Sequence, residues 1–390
     1  MPSSTIAGLI VLIAFASLAQ TKPRARDLGV PFDGTPGPLN AITDVQGVEV
    51  GEKTLISGDG KLVVGKGPVR TGVTAILPRG RQSQDPVFAG WFTENGNGEM
   101  TGTTWVEESG FLEGPVMITN THSVGTVRDA VIAWRIQHGF TGEYPWSLPV
   151  VAETYDGYLN DIDGFHVTSA DAFAALDSAR SGQVAEGNVG GGTGMICNEF
   201  KGGIGTSSRK LPPKNGGYTV GVLVQCNYGV RDNLRIAGAP VGREIRDDLV
   251  WSAKNRTSGN ELGSIIVVVA TDAPLIPTQL KRLAKRVTLG LGRDGSISGN
   301  GSGDIFIAFS TANPHSADAN GPRKVEMLPN DSVDPLFKAT VEATEEAVIN
   351  AMVAAGTMTG IDGHKVTALP HERLREVLKK YNRLASESSR

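Results

Sequence analysis

The sequence has few cysteines and no excess of positive charge, and each of these absences excludes one class of protein. Two cysteines in 390 residues, Cys197 and Cys226, exclude a scaffold that is held together mainly by disulfides. Both lie in apolar, glycine-flanked surroundings, so the sequence leaves open whether they pair. The net charge of −4, without any run of Lys or Arg, argues against a nucleic-acid partner.

Metal-ligand spacing and long apolar runs are also missing from most of the chain. The six histidines are scattered, without the HxxxH or CxxC spacing of common metal sites, so we expect no metal. After residue 19, no segment reaches the roughly 18 uninterrupted apolar residues of a membrane-spanning helix. We therefore expect no stable association with a membrane.

The N-terminus is the exception to this lack of apolar runs. Residues 4–19 (STIAGLIVLIAFASLA) end in small residues, and Ser17 and Ala19 fit a signal-peptidase site. No Lys or Arg precedes the apolar part, which leaves a short membrane anchor or a wrongly assigned start as alternatives. We interpret residues 1–19 as a cleaved export signal, which predicts a periplasmic or secreted protein rather than a cytoplasmic one.

Glycine, in contrast, is abundant, with 50 residues clustered as GGGTG, KGGIG and GNGSG. Strand-like apolar runs surround the clusters, so tight turns and close backbone approaches explain them best. Strands and helices interleave without a regular βαβ repeat, which predicts a single α/β domain of two or more layers. The pattern predicts a strand at residues 61–64, an exposed loop at 232–261, and helices at 123–138, 168–180, 278–291, 335–355 and 370–382.

The stretch NELGSIIVVVATDAPL (260–275) holds the most informative feature. Six apolar residues begin at Ile265, and five of them are Ile or Val, which is typical of a strand buried on both faces. Gly263 and Ser264 precede this run. If the chain cleaves itself between them, Ser264 gains an α-amine with a reference pKa of roughly 7.7–8.0, and so its own general base. By itself, Gly-Ser before a strand is more often a turn.

Three other stretches place polar side chains at the ends of apolar strands. In GNGSGDIFIAF (299–309), Ser302 and Asp304 share a strand face and could orient an ammonium group. In VVAETYDG (150–157), Tyr155 could donate to an oxyanion and Glu153 could bind a substrate amine. In VQCNYG (224–229), Asn227 offers an amide N–H₂ to an oxyanion. Each residue also has an ordinary interpretation in a turn or at a strand edge, so only the combination is informative.

These stretches resemble the self-processing aminopeptidases that include D-aminopeptidase (L-aminopeptidase/D-esterase) and the β-peptidyl aminopeptidases. The resemblance extends to the motifs TGVTAILPRG, GNGEMTGTTWVEESG, ITNTHSVGTVRDA and GGGTGM. The likeness runs from about residue 36 to residue 311. It implies a four-layered αββα sandwich, similar to N-terminal nucleophile hydrolases but with different connectivity. It also implies that no cofactor is used. The precursor would split into a larger chain (20–263) and a smaller chain (264–390) that stay paired, and the pairs would form a homotetramer.

The resemblance also implies a role for particular residues. It implies that Ser264 is the nucleophile, that cleavage occurs after Gly263, and that Ser302 and Asp304 contact the new amine. It further implies that Asn227 is the oxyanion donor, and that the substrate pocket includes Tyr155, Glu153 and Trp146. Asp304 is a departure, because some β-peptide-cleaving members carry Glu at this position. The shorter side chain moves the carboxylate by one methylene group.

We therefore predict a hydrolase that removes N-terminal residues from short peptides, amides or esters, beginning with a D-, L- or β-amino acid. One alternative is an acyltransferase on a related fold, in which an amine replaces water as the acyl acceptor. Such enzymes typically present threonine as nucleophile, which counts mildly against it here. The other alternative is an exported ligand-binding protein, whose chain would stay uncut.

Overall fold

The computed structural model describes residues 22–140, 146–250 and 262–385. The expected export signal at residues 1–19 lies outside these ranges. The strands are β1 Glu49–Ser57, β2 Val69–Leu77, β3 Val87–Gly96, β4 Phe111–Leu112, β5 Val116–Asn120, β6 Val150–Thr154, β7 Ile196–Cys197, β8 Phe200–Lys201, β9 Gly203–Lys210, β10 Thr219–Asn227, β11 Leu262–Thr271, β12 Gly301–Ser310, β13 Met358–Thr359 and β14 Lys365–Val366. The helices are α1 Thr103–Ser109, α2 Val124–Gln137, α3 Ser169–Ser178, α4 Val241–Glu244, α5 Pro277–Ala284, α6 Val287–Arg293, α7 Asp334–Val353 and α8 His371–Lys380.

Two main sheets pack face to face. One has four strands in the order β1-β2-β5-β6, and the other has six in the order β4-β3-β12-β11-β10-β9. Neighbours in the six-stranded sheet are antiparallel, except that β11 and β12 run parallel. Strand β11 therefore lies inside this sheet, between the end of β10 and the start of β12.

The apolar run of β11 is buried on both faces, as its composition predicts. Odd-numbered residues from 265 to 269 belong to a cluster beneath the helices, and even-numbered residues from 266 to 270 belong to the cluster between the sheets. Successive side chains on a strand point to opposite faces, so a strand with two covered faces needs apolar residues at every position. Each fully buried Ile or Val stabilises the fold by about 1.5–3 kcal/mol. The strand that follows Ser264 is thus firmly held.

Helices cover the outer face of each sheet. The helices α5, α6 and α7 share a cluster with the six-stranded sheet, and α2 and α3 share one with the four-stranded sheet. Helix α3 begins at the predicted capping box, in which the Thr168 hydroxyl donates to the Asp171 carboxylate at 2.7 Å. The order of layers is helix, sheet, sheet, helix, which confirms the predicted four-layered αββα sandwich.

Three local predictions were wrong or incomplete. Residues 61–64 form an exposed loop with one isolated bridge, from Val63 to Gly67, because none of the described strands covers them. The helix predicted at 278–291 is two helices, α5 and α6, separated at residues 285–286. In the loop predicted at 232–261, Leu234 and Ile245 are buried in the core and α4 forms a short turn of helix. Residues 251–261 lie outside the described part of the chain.

The described residues answer one question that the sequence leaves open. Cys197 and Cys226 form a disulfide between β7 and β10, with their Cα atoms 5.5 Å apart.

Among the described residues, no group of three or more His, Cys, Asp or Glu could hold a metal ion. None of the helices described is both long enough and apolar enough to cross a membrane.

Candidate active site

Ser264 lies at the start of β11, in the interior of the six-stranded sheet. It pairs with Asn227, the last residue of β10, on one side and with Gly303 of β12 on the other. Ile266 and Val268 face the space between the sheets, and alternation along the strand places the Ser264 side chain on the same face. The buried hydroxyl group therefore points to the end of the intersheet core, where a cavity opens.

Strand β11 runs without interruption across the bond between Gly263 and Ser264. A Cβ atom at position 263 would lie 2.8 Å from the Cα atom of Tyr228 and closer still to the carbonyl oxygen of Asn227. Such distances are far inside van der Waals contact, so the end of β10 leaves no room for a side chain here. Glycine at this position is therefore a steric requirement of the strand pairing.

The Asn227 side chain is held in one orientation by two hydrogen bonds. Its Oδ1 accepts from the backbone N–H of Ile196 at 2.8 Å, and its Nδ2 donates to the carbonyl oxygen of Tyr155 at 3.0 Å. A reversed amide would set a donor against a donor and an acceptor against an acceptor. The second Nδ2 hydrogen is left for a group in the cavity beside Ser264.

Glu153 comes from the other sheet, at the end of β6. Its Oε1 accepts from the backbone N–H of Glu99 at 3.0 Å, and its Oε2 accepts from the hydroxyl of Thr121. Burial raises the pKa of the Glu153 carboxyl above its ordinary value, and the two hydrogen bonds offset part of that rise. The carboxylate lines the same cavity as Ser264.

Ser302 and Asp304 share a face of β12, as predicted, and the Ser302 hydroxyl donates to the Asp304 carboxylate at 2.7 Å. Ser298 and the backbone N–H of Ile265 also donate to this carboxylate. Burial raises the pKa of Asp304, while these donors act against the rise. Phe306 lies on the same strand face and packs under the helices, so both side chains lie behind the sheet, away from the Ser264 hydroxyl.

The cavity has a volume of about 650 Å³, within the usual range for small-molecule sites. Five of the predicted site residues line it: Gly263, Ser264, Asn227, Glu153 and Tyr155. Trp146 is not among the lining residues. It is half-exposed and packs edge-on against Trp105, with ring centroids 5.1 Å apart.

Sequence reasoning missed several residues that build this site. Thr121 and Glu99 hold the Glu153 carboxylate, Ile196 orients Asn227, and Ser298 donates to Asp304. Thr121 and Glu99 lie in the motifs ITNTHSVGTVRDA and GNGEMTGTTWVEESG, which are parts of the family resemblance. Ile196 orients Asn227 through its backbone N–H, which every residue except proline carries, so this role leaves no signal in the sequence; Ile196 also lines the cavity.

Comparisons with known proteins match almost the whole chain. The model of peptidase family S58 matches residues 40–366. The β-peptidyl aminopeptidase BapA of Sphingosinicella microcystinivorans is 58% identical over 98% of this chain and 97% of its own length. The enzyme of the same name from Sphingosinicella xenopeptidilytica is 49% identical, over 96% of this chain and 95% of its own.

Solved structures agree with these matches. The L-aminopeptidase D-Ala-esterase/amidase of Ochrobactrum anthropi, described as a prototype of the serine aminopeptidases and a variant of the Ntn hydrolase fold, superimposes with a TM-score of 0.87. It is 52% identical and covers 93% of this chain and 100% of its own. A β-aminopeptidase of a Burkholderia species gives a TM-score of 0.84 at 48% identity, covering 92% of this chain and 99% of its own. The chain therefore belongs to peptidase family S58 and is a serine aminopeptidase of the N-terminal nucleophile type.

Proposed function

We propose that this aminopeptidase removes N-terminal β-amino acids from short peptides and amides, through an acyl-enzyme on Ser264. One observation carries the proposal: Ser264 faces the cavity, beside the oriented Asn227 amide, and follows a glycine for which β10 leaves no alternative. The substrate class is supported by the two β-peptidyl aminopeptidase relatives.

Self-cleavage would begin with attack of Ser264 Oγ on the carbonyl carbon of Gly263. The C–N bond of that peptide breaks as the ester forms, and the proton of the hydroxyl moves to the departing nitrogen. Water then hydrolyses the ester, which leaves a carboxylate on Gly263 and a free α-amine on Ser264. The unhindered glycine carbonyl favours the first step.

In turnover, the new α-amine takes the proton of Ser264 Oγ as the oxygen attacks the substrate carbonyl. The developing oxyanion accepts hydrogen bonds from Asn227 Nδ2 and from the Tyr155 hydroxyl. The proton passes to the leaving amine, which departs as the shortened peptide, and water then hydrolyses the ester and releases the N-terminal β-amino acid. Ser302 and Asp304 hold the α-amine from behind the sheet, where the Asp304 carboxylate already accepts the N–H of the next residue, Ile265.

Glu153 would bind the ammonium group of the substrate, and this assignment predicts a pH effect. The carboxylate binds an ammonium group only when it is ionised, and burial raises its pKa. We therefore expect kcat/KM to fall as the pH drops through this raised pKa. In Glu153→Gln, KM should rise and this acid limb should vanish; a pH profile of kcat/KM measures both. An acid limb unchanged in the variant would contradict the assignment.

The remaining proposals concern assembly and location. We propose that residues 20–263 and 264–390 stay paired after cleavage. Strand β11 of the smaller chain is flanked by β10, which belongs to the larger chain, and by β12, which belongs to the smaller chain. The strand pairing therefore crosses the cut. We further propose a homotetramer of such pairs, in which Trp146 contributes an aromatic wall to a substrate pocket. A periplasmic or secreted location rests on the expected export signal at residues 1–19.

The substrate class is tested with three anilides that share a leaving group: β-homoalanine, L-alanine and D-alanine. We expect the β-homoalanine anilide to give the highest kcat/KM on the cleaved enzyme. The L-aminopeptidase D-Ala-esterase/amidase of Ochrobactrum anthropi makes L- and D-alanine the appropriate competitors. A preference for either would overturn the β-peptidyl assignment and leave the acyl-enzyme mechanism standing.

A further inference from the structure

Lys201 is a fully buried lysine that the proposed mechanism does not use. It ends β8, and its Nζ donates to the carbonyl oxygens of Met195 at 2.5 Å, Gly202 at 2.9 Å and Gly192 at 3.5 Å. An ammonium group has three N–H donors and no acceptor, which matches three carbonyl oxygens. Burying such a group is costly, so a purely packing role would be better served by an apolar side chain.

A buried carboxyl lies near enough to compensate this charge. Burial lowers the pKa of Lys201 well below its ordinary value, Lys22 lowers it further, and Asp156 acts against this lowering. Burial raises the pKa of Asp156 itself to about 6. A carboxylate at Asp156 therefore favours the protonated form of Lys201. The pair lies close to the site, since Asp156 follows Tyr155, whose carbonyl oxygen binds Asn227.

One peptide group connects Lys201 to Asn227. The carbonyl oxygen of Met195 accepts from Lys201, and the N–H of the same peptide group, on Ile196, donates to Asn227 Oδ1 at 2.8 Å. The two bonds lie at opposite ends of one planar unit, so fixing its carbonyl also fixes its N–H. The Cys197–Cys226 disulfide joins the residues next to Ile196 and Asn227, and so links β7 to β10 beside this hydrogen bond.

We propose that Lys201 is a positioning residue for the oxyanion donor, acting through the Met195–Ile196 peptide on Asn227. The ammonium group orients the peptide, the peptide orients the Asn227 amide, and the free Nδ2 hydrogen faces the cavity. Hydrogen bonds in such a chain polarise one another, so the donor at Lys201 also makes the terminal N–H a better donor. This inference rests on the oxyanion role proposed for Asn227.

A double-mutant cycle tests this coupling, with Lys201→Met, Asn227→Ala and the double variant. Methionine keeps most of the length of lysine but has neither charge nor donor. We expect Lys201→Met to lower kcat by about tenfold, the effect of losing one good hydrogen bond in the transition state, with KM nearly unchanged. In the Asn227→Ala background, the same change should leave kcat within about twofold, because the group it positions is gone. The concentration of cleaved chains, from mass spectrometry, normalises each rate.

The outcomes separate this inference from the proposal beneath it. Suppose that Asn227→Ala lowers kcat as expected. If Lys201→Met then lowers kcat equally in both backgrounds, or in neither, the positioning role of Lys201 is overturned. An Asn227→Ala variant with unchanged kcat would instead remove the oxyanion assignment, and this inference with it.

A matched control separates positioning from loss of stability. Arg209 is also buried and donates to backbone carbonyls, those of Asp33, Ser208 and Glu342, on the side of the sheet covered by α7. Arg209→Met should lower the melting temperature without changing kcat. If Lys201→Met gives no soluble protein, Lys201→Leu replaces it in the cycle, since it also lacks both the charge and the donor to the Met195 carbonyl, and the same kcat pattern is required.

Discussion

Replacing Ser264 with alanine should yield a single uncut chain without aminopeptidase activity. The hydroxyl is the only group that the proposed mechanism uses to attack the Gly263 carbonyl, so without it the peptide bond stays intact. The α-amine that would act as general base then never forms. Both the nucleophile and its base are lost by one substitution, and activity should fall by about 10⁶-fold, as when a serine nucleophile is removed from a catalytic triad.

The measurement is mass spectrometry of the purified variant, together with hydrolysis of a β-homoalanine anilide. Ser310→Ala is a matched control, because Ser310 is a buried serine at the far end of β12 whose hydroxyl donates to the carbonyl of Ala273. That variant should still be cut into two chains. Two fragments from Ser264→Ala would contradict the assignment of the nucleophile. An uncut but active wild-type chain would favour a mechanism without self-cleavage.

Replacing Asn227 with alanine should lower kcat by about 10²–10³-fold and leave KM nearly unchanged. The Nδ2 group donates to a charge that exists only in the transition state, so the substrate itself loses little binding. Two hydrogen bonds hold the amide in advance, and no reorganisation is needed when the charge develops. Steady-state kinetics per cleaved chain measures the split between kcat and KM.

A neighbouring amide provides the control for this variant. Gln225 lies two residues earlier on the same face of β10, fully buried, and its Nε2 donates to Thr119 and Thr154. Gln225→Met should lower the melting temperature, because a buried hydrogen-bonded group is removed, but should keep kcat. If Asn227→Ala raised KM and preserved kcat, the side chain would bind substrate rather than the transition state.

Patterns confined to one stretch of chain predicted the fold well. The apolar run after Ser264 predicted a strand buried on both faces, and Thr168 with Asp171 predicted the start of a helix. Predictions failed where a neighbour decides the outcome. Residues 61–64 have strand-like composition, but none of the strands in the described part of the chain lies beside them, and they remain an exposed loop.

The candidate site divides in the same way. The spacing of Ser302 and Asp304 predicts that they share one strand face, and their hydrogen bond agrees with this prediction. The family resemblance assigns Trp146 to a substrate pocket, whereas within one chain Trp146 packs on Trp105 and does not line the cavity. Spacing along a strand reports which side chains are neighbours, whereas it says nothing about which distant segment covers them.

The sequence by itself determined the candidate nucleophile, the bond before it and the buried strand behind it, because these features depend on consecutive residues and on a period of two. Only the tertiary structure decided how the Asn227 amide is oriented, which groups hold the Glu153 carboxylate and which carbonyl oxygens accept from Lys201. These depend on groups far apart in the chain, several of them backbone atoms that every residue carries. A backbone N–H becomes distinctive only when folding brings it within hydrogen-bond distance of its acceptor.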